Sequence, residues 1–230
     1  MSEGKYSKFL TILLIVVIIA IIALLGFLGY DFYRKYYIEK QNEEVLNQFE
    51  NQIKNQVNNT TNTITNEINT DPVENIVNPY DNTSNGGNSS SGSNGKYPQM
   101  GGYNVMGKIE IPKTNVKCAI LEKVTRKSIE LAVGIQAGPG LNKPGNTVIS
   151  GHNYRNGLFF SNNGKLENGD KIYITDENGN RVAYTIYNKY ITSPNDAQYM
   201  TRNTEGRTEI SLSTCTDDSQ GRIIIWAKAD

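Results

Sequence analysis

The chain has 230 residues and a mean hydropathy of −0.49, which leaves room for one domain of ordinary size plus appendages, with the apolar residues unevenly spread. Its 23 Lys and Arg balance 23 Asp and Glu, and no run of five or six like charges occurs, so nothing marks a surface for nucleic acid. Two cysteines, Cys118 and Cys215, allow at most one disulfide.

The first element is an apolar run. Phe9 to Gly29 carries no charge and is dense in Ile, Leu and Val. As a helix rising about 1.5 Å per residue it covers roughly the 30 Å of a bilayer core. A cleaved signal peptide is the competing reading, but its apolar core is typically about 7 to 15 residues and ends at a small-residue site. Here Leu24, Leu25, Phe27 and Leu28 lead into Gly29, Tyr30 and Asp31 with no such site, which favours an uncleaved anchor. Lys5 and Lys8 precede the run and Arg34, Lys35 and Lys40 follow it, so the flanking charges give no clear orientation. The short N-terminus, residues 1–8, favours the cytoplasmic side for itself and the extracellular face for everything after the anchor.

Beyond the anchor, Leu46, Phe49, Ile53 and Val57 recur at spacings of three and four, the stripe of an amphipathic helix or short coiled coil. Residues 30–57 are therefore expected to form a juxtamembrane helical stalk. Residues 58–100 are mostly Asn, Thr, Ser and Gly, include Pro72 and Pro79, and contain SNGGNSSSGSNG. Such a composition buries too little apolar surface to offset the entropy of ordering, so it reads as a flexible spacer.

From Gly101 to Asp230 short β-rich runs alternate with Gly, Asn and Pro, the pattern of an all-β barrel or sandwich. Strands are expected at 105–111, 116–121, 146–150, 171–175, 181–191, 207–215 and 222–228. Thr125 is placed to cap a short helix through Ile129 and Leu131, and the Asn-Gly pair within Glu177 to Asn180 predicts a hairpin turn.

Three residues stand out. His152, the single histidine, sits in the turn GHN at the end of the strand NTVIS, where a domain exposes reactive groups. Cys215 ends the strand TEISLST. After six intervening residues Arg222 opens the last strand, and a return this short makes the two strands antiparallel neighbours, with Arg222 beside Cys215. A thiol, an imidazole and a guanidinium meet the needs of acyl transfer: a nucleophile, a proton carrier and a cation for the developing oxyanion. Nothing at zinc-ligand spacing accompanies them. Cys118 alternates with Val116 and Ile120 on an apparent core face and is expected to be a buried free thiol rather than a disulfide partner of Cys215. Phe159, Phe160 and Trp226 read as core or groove wall.

The segments TVISGHN and SLSTC, and the arginine seven positions after that cysteine, resemble the three signature pieces of the sortase catalytic domain. GKIEIPK with Val116 and Ile120, and LENGDKIYI, resemble its framework strands, so the likeness spans some 125 residues. The resemblance implies an eight-stranded β-barrel with one or two short helices, behind a transmembrane helix and spacer. It implies a cysteine transpeptidase acting on an LPXTG-like sorting signal: Cys215 forms a thioester, His152 moves the proton, Arg222 steadies the oxyanion, and Thr214 helps hold substrate. Its partners would be surface proteins bearing that signal and a peptidoglycan precursor or other amine. A surface cysteine endopeptidase and a catalytically silent binding barrel are the alternatives.

No cofactor is expected. Some relatives use calcium, but Asp170, Asp176, Glu177, Asp217 and Asp218 form no loop with ligands at alternate positions, so no metal is assigned. Residues 181–215 leave no room for the long inserted helix of the haem-protein-anchoring class. The string nearest to a pilin-class lid is Asn78, Pro79 and Tyr80, inside the spacer. The general protein-anchoring class fits better.

Overall fold

The structure is a computed structural model that describes residues 3–67 and 97–230, with side chains in the first stretch described from 9 to 58. Most of the expected spacer, 68–96, and the string Asn78, Pro79, Tyr80 lie outside the described residues.

A single unbroken helix, α1 (Glu3–Glu67), covers the expected anchor, the expected stalk and the first ten residues assigned to the spacer. Its two parts meet different surroundings. From Phe9 to Leu28 every large apolar side chain is exposed. Among the described residues this is the one helix long and apolar enough to cross a membrane. It is a candidate anchor, since so much bare apolar surface needs a non-aqueous solvent.

Further along α1, Ile38, Val45, Leu46 and Phe49 are buried. Leu46 and Phe49 belong to the apolar stripe read from sequence, but that stripe begins earlier, at Ile38, and has ended by Val57, which is 55% exposed. These side chains join the barrel's own hydrophobic core. The stripe therefore packs on the barrel, not on a second helix.

The described residues after the helix form nine strands: β1 (Gln99–Met100), β2 (Tyr103–Ile111), β3 (Val116–Leu121), β4 (Val133–Ala137), β5 (Gly145–Ser150), β6 (Lys171–Asp176), β7 (Arg181–Thr192), β8 (Thr208–Cys215) and β9 (Arg222–Ala229). The strand β1 is a two-residue addition to the edge of β2. The other eight run β2-β3-β4-β5-β8-β9-β7-β6, and β6 pairs back onto β2, closing an eight-stranded barrel. Closure removes the free sheet edges that an open β-sheet leaves unpaired.

Alternation along the strands fills the interior. In β2 the buried positions are Val105, Gly107, Ile109 and Ile111; Ile172 and Ile174 in β6 and Tyr184 and Ile186 in β7 follow the same period. The hairpin β6–β7 turns at Gly179, φ 84°, where the Asp176 carboxylate accepts from the backbone N–H of Asn178 and Asn180, both at 3.0 Å. The Asn-Gly expectation holds for this reason: the turn needs a left-handed residue and an acceptor for its N–H groups.

Two strands, β1 and β4, escaped the sequence reading. The strand β4 is five residues long, pairs with β3 at only two positions, and bulges between Ile135 and Ala137 against β5. That is too short and irregular for a period-two signal. The helix expected after Thr125 is a 3-10 turn, Ser128–Glu130, with Thr125 Oγ1 accepting from the Ser128 N–H at 3.0 Å.

Because β4 covers only the end of β3, the start of β3 has an open side, and α1 fills it. Asn42 donates from Nδ2 to Lys117 O at 3.0 Å and accepts at Oδ1 from Ala119 N–H at 2.9 Å, imitating one rung of a strand. Lys108 on β2 pairs with Glu50 at 2.9 Å.

Candidate active site

The strands β5 and β8 are parallel and in register as far as Ser150 opposite Ser213. There β5 ends while β8 runs on to Cys215, and His152, two residues past Ser150, opens into the same groove as Cys215. Gly151 N–H donates to Ser213 O at 3.1 Å and holds the exit of β5 against β8. A Cβ at Gly151 would stand 2.7 Å from Val133 Cγ1 and 2.9 Å from the Phe160 ring, so only glycine lets the histidine turn pass this close to the core.

On the other side of β8, β9 is antiparallel and Cys215 faces Arg222 directly in register. Arg222 Nη1 donates to Cys215 Sγ at 2.8 Å. The reading from the short return loop is thus met in the geometry: the turn Thr216–Gly221 is closed by Thr216 N–H to Gly221 O at 3.0 Å and Gly221 N–H to Thr216 Oγ1 at 2.9 Å.

His152, Thr214, Cys215 and Arg222 line one groove of about 390 Å³ with Gln136 and the segment after β7 at Pro194–Ala197. Cys215 is partly exposed there and free. Its other side is held by Asn153, whose Nδ2 donates to Cys215 O at 3.0 Å and to Asp217 Oδ1 at 2.8 Å. One amide therefore ties the histidine turn to the cysteine and to the loop after it.

The four residues are not equally placed. Thr214 alternates with Cys215 and shares the face of Ile210 and Leu212, which belong to the core. It is 2% exposed, and its Oγ1 has no hydrogen-bond partner. His152 is half-buried, with Nε2 3.4 Å from Glu130 Oε1 but not aligned for a hydrogen bond. Burial lowers the affinity of this imidazole for a proton, and the positive charges of Arg34 and Arg222 act in the same sense, while Glu130 opposes them; the net direction is down.

Cys118 is the contrasting thiol. It is 4% exposed, and burial pushes its pKa up to about 12. Phe160 is fully buried and Phe159 nearly so. Trp226 is partly buried and packs against the smaller hydrophobic cluster of Val148, Tyr199 and Ile224, with Tyr187, Tyr190 and Arg202 around it, the guanidinium 4.7 Å from its ring.

The carboxylates weighed for a cation have local duties. Asp176 closes a hairpin, Asp217 accepts from Asn153, Asp218 accepts from Gln220 N–H at 3.0 Å, and Asp170 accepts from Glu167 N–H at 2.9 Å. Among the described residues no three His, Cys, Asp or Glu side chains cluster as a metal site.

Sequence reasoning missed Glu130, Asn153, Tyr154 and Arg34. Asn153 was within reach, since it belongs to the GHN turn. Glu130 and Arg34 lie 22 and 118 positions from His152 and carry no local signal.

A closed eight-stranded barrel with a partly exposed thiol, bonded to an arginine and sharing a groove with a histidine, defines a class of cysteine-centred barrel proteins. A sequence model of the sortase domain matches residues 109–230, more than half of the chain, and the chain belongs to the sortase family. It is 28% identical over 124 residues to sortase A of Bacillus anthracis, a match that covers 53% of this chain and 58% of that protein. The chain thus spans little more than half the length of that curated relative. Among solved structures, the fold resembles a lid mutant of sortase A from Corynebacterium diphtheriae, with TM-score 0.51 and 24% identity over 56% of this chain and 71% of the other. It also resembles sortase C1 of Streptococcus agalactiae in complex with MTSET, with TM-score 0.50 and 22% identity over 55% and 69%.

Proposed function

We propose that this chain is a membrane-anchored cysteine transpeptidase that joins proteins bearing an LPXTG-like sorting signal to a cell-wall amine. The observation that carries the reading is the Arg222–Cys215 hydrogen bond at 2.8 Å, in strand register and beside the histidine turn.

In the first half-reaction the Cys215 thiol gives its proton to His152, and Sγ bonds to the carbonyl carbon of the signal's threonine. The C=O electron pair moves to oxygen, and the guanidinium of Arg222 balances that charge. As the tetrahedral species collapses the C–N bond breaks, His152 gives a proton to the departing amine, and a thioester remains on Cys215. In the second half-reaction an acceptor amine, from a peptidoglycan precursor or another source, attacks the thioester. It gives its proton to His152, and the new amide leaves as the thiolate departs. Thr214 contributes as a buried part of the groove wall beside the nucleophile.

In this reading the N-terminal helix is the membrane anchor, with residues 1–8 on the cytoplasmic side and the barrel at the extracellular face. The segment between β7 and β8 holds the 3-10 turn Gln198–Met200 and, among its described residues, no long helix, which fits the general anchoring class.

The test is a peptide library of LPXTG-like signals given to the full chain in detergent, with and without an added amine, read by mass. A thioester on Cys215 and an amide product in the presence of amine support the reading. Release to water alone, unaffected by amine, supports an endopeptidase, and no adduct at all with reduced Cys215 supports a silent barrel.

A further inference from the structure

The carboxylate of Glu130 stands between the histidine turn and the membrane helix. One oxygen, Oε1, is 3.4 Å from His152 Nε2. The other, Oε2, accepts from the Tyr154 hydroxyl and from Arg34 Nη2. Arg34 Nη2 also donates to Tyr154 OH at 3.1 Å, and its guanidinium lies 4.7 Å from the centre of the Tyr154 ring. That ring is in turn 4.8 Å from the His152 ring, tilted by 39°. Four side chains from three separated segments thus form one continuous contact from α1 to the groove.

Arg34 is outside the stretch matched by the sortase domain, which begins at residue 109. It follows the apolar run by five residues, roughly 7 Å along the helix. The barrel end of the contact is therefore close to where α1 leaves the membrane.

We propose that Glu130 is the positioning residue of His152, and that Arg34 shares its carboxylate, so that the membrane helix adjusts the imidazole from outside the barrel. The inference rests on the proposed role of His152 as proton carrier. With Nε2 set against Glu130, Nδ1 is the ring nitrogen left to carry the proton toward the groove. The charged and titratable groups facing this ring are Glu130 from the 3-10 turn, Arg34 from α1, Arg222 from β9, Tyr154 from its own turn and Cys215 across the groove. Burial and the neighbouring Glu130 carboxylate raise the Tyr154 phenol, so it stays protonated and acts as a donor.

The signs follow from these contacts. Glu130 favours the imidazolium and Arg34 disfavours it, both directly and by occupying Oε2. Movement of α1 that withdraws Arg34 leaves the carboxylate to His152 and makes the ring more basic. Helix position is in this way coupled to the proton inventory of the site.

His152 is the single histidine, so its ring carbon can be followed without assignment ambiguity. The experiment titrates ¹³C-histidine-labelled full-length protein in lipid nanodiscs, as the parent, Glu130→Gln and Arg34→Gln, and measures acyl-enzyme formation across pH on the same samples. Glu130→Gln is expected to move the His152 titration to lower pH and to slow acylation about tenfold, a fraction of a full general acid–base contribution. Arg34→Gln is expected to move it to higher pH, and the pH profile of acylation should follow each shift. An unmoved titration in Glu130→Gln, or a downward or absent shift in Arg34→Gln, overturns the proposal even if transpeptidation is intact. Shifts in the stated directions with no acylation of any signal peptide overturn the proposed function and leave the coupling standing. Should Glu130→Gln not fold, the sign of the Arg34→Gln shift decides alone, because Arg34 is at the surface.

Discussion

Cys118 on β3 and Cys215 at the end of β8 carry the same thiol into opposite surroundings. Cys118 is sealed among apolar neighbours, with its ionisation pushed up to about 12 by burial. Cys215 stands at a strand end with an arginine on its sulfur, an asparagine on its carbonyl and a groove in front. Nothing in the residue itself separates the two. The comparison teaches that the barrel makes an inert thiol wherever a strand runs through the core, and an addressable one only where β8 leaves the sheet between the β5 turn and β9.

That contrast can be broken at several points. Cys215→Ala should abolish ligation, a loss of at least about 10³-fold in kcat, while Cys118→Ala should leave kcat within about twofold; peptide ligation rates measure both. Arg222→Ala should lower kcat by roughly 10²- to 10³-fold, the scale of removing one oxyanion donor. Arg222→Lys should recover only part of this, because a point charge on a flexible stem does not reproduce the guanidinium contact.

The scaffold behind Cys215 is open to a stability test. Glu209, at the other end of β8, is 1% exposed and bonded to Tyr187 at 2.6 Å, Arg207 at 2.9 Å and Arg202. Burial pushes its pKa up, but these donors outweigh burial and the net direction is down. A carboxylate lowered on folding stabilises above its unfolded pKa, and that contribution is lost as pH falls through the folded value. Glu209→Gln should therefore flatten the acid limb of a denaturation curve. It should also cost about 3 to 5 kcal/mol at neutral pH, since it leaves Arg202 buried and unpaired.

Smaller effects sharpen the same picture. Asn42→Ala should cost about 1 to 2 kcal/mol in chemical denaturation, because Ala119 N–H and Lys117 C=O lose their shared partner. Iodoacetamide at neutral pH should label Cys215 in the folded protein and reach Cys118 only after unfolding, which peptide mapping distinguishes.

Much of this architecture was legible from local pattern. The period-two alternation of β2, β6 and β7, the Asn-Gly hairpin and the apolar run of α1 all depend on neighbours within a few residues. The Cys215–Arg222 pair was legible too, because a six-residue return leaves antiparallel pairing as the way to continue the sheet. The stripe on α1 announced a partner without saying which, since an apolar face fits a coiled coil or a barrel equally well. The strand β4 stayed hidden because its pairing is short and bulged.

The sequence by itself determined seven of the barrel's eight strands, the apolar helix and the histidine, cysteine and arginine that share the groove, because each is written in spacing, composition or motif over short range. Only the tertiary structure decided that α1 covers the open side of β3, that Asn153 ties the two loops, and that Glu130 stands between His152 and Arg34. Those contacts join residues as many as 96 positions apart, and they exist only once closure of the barrel has brought their segments together.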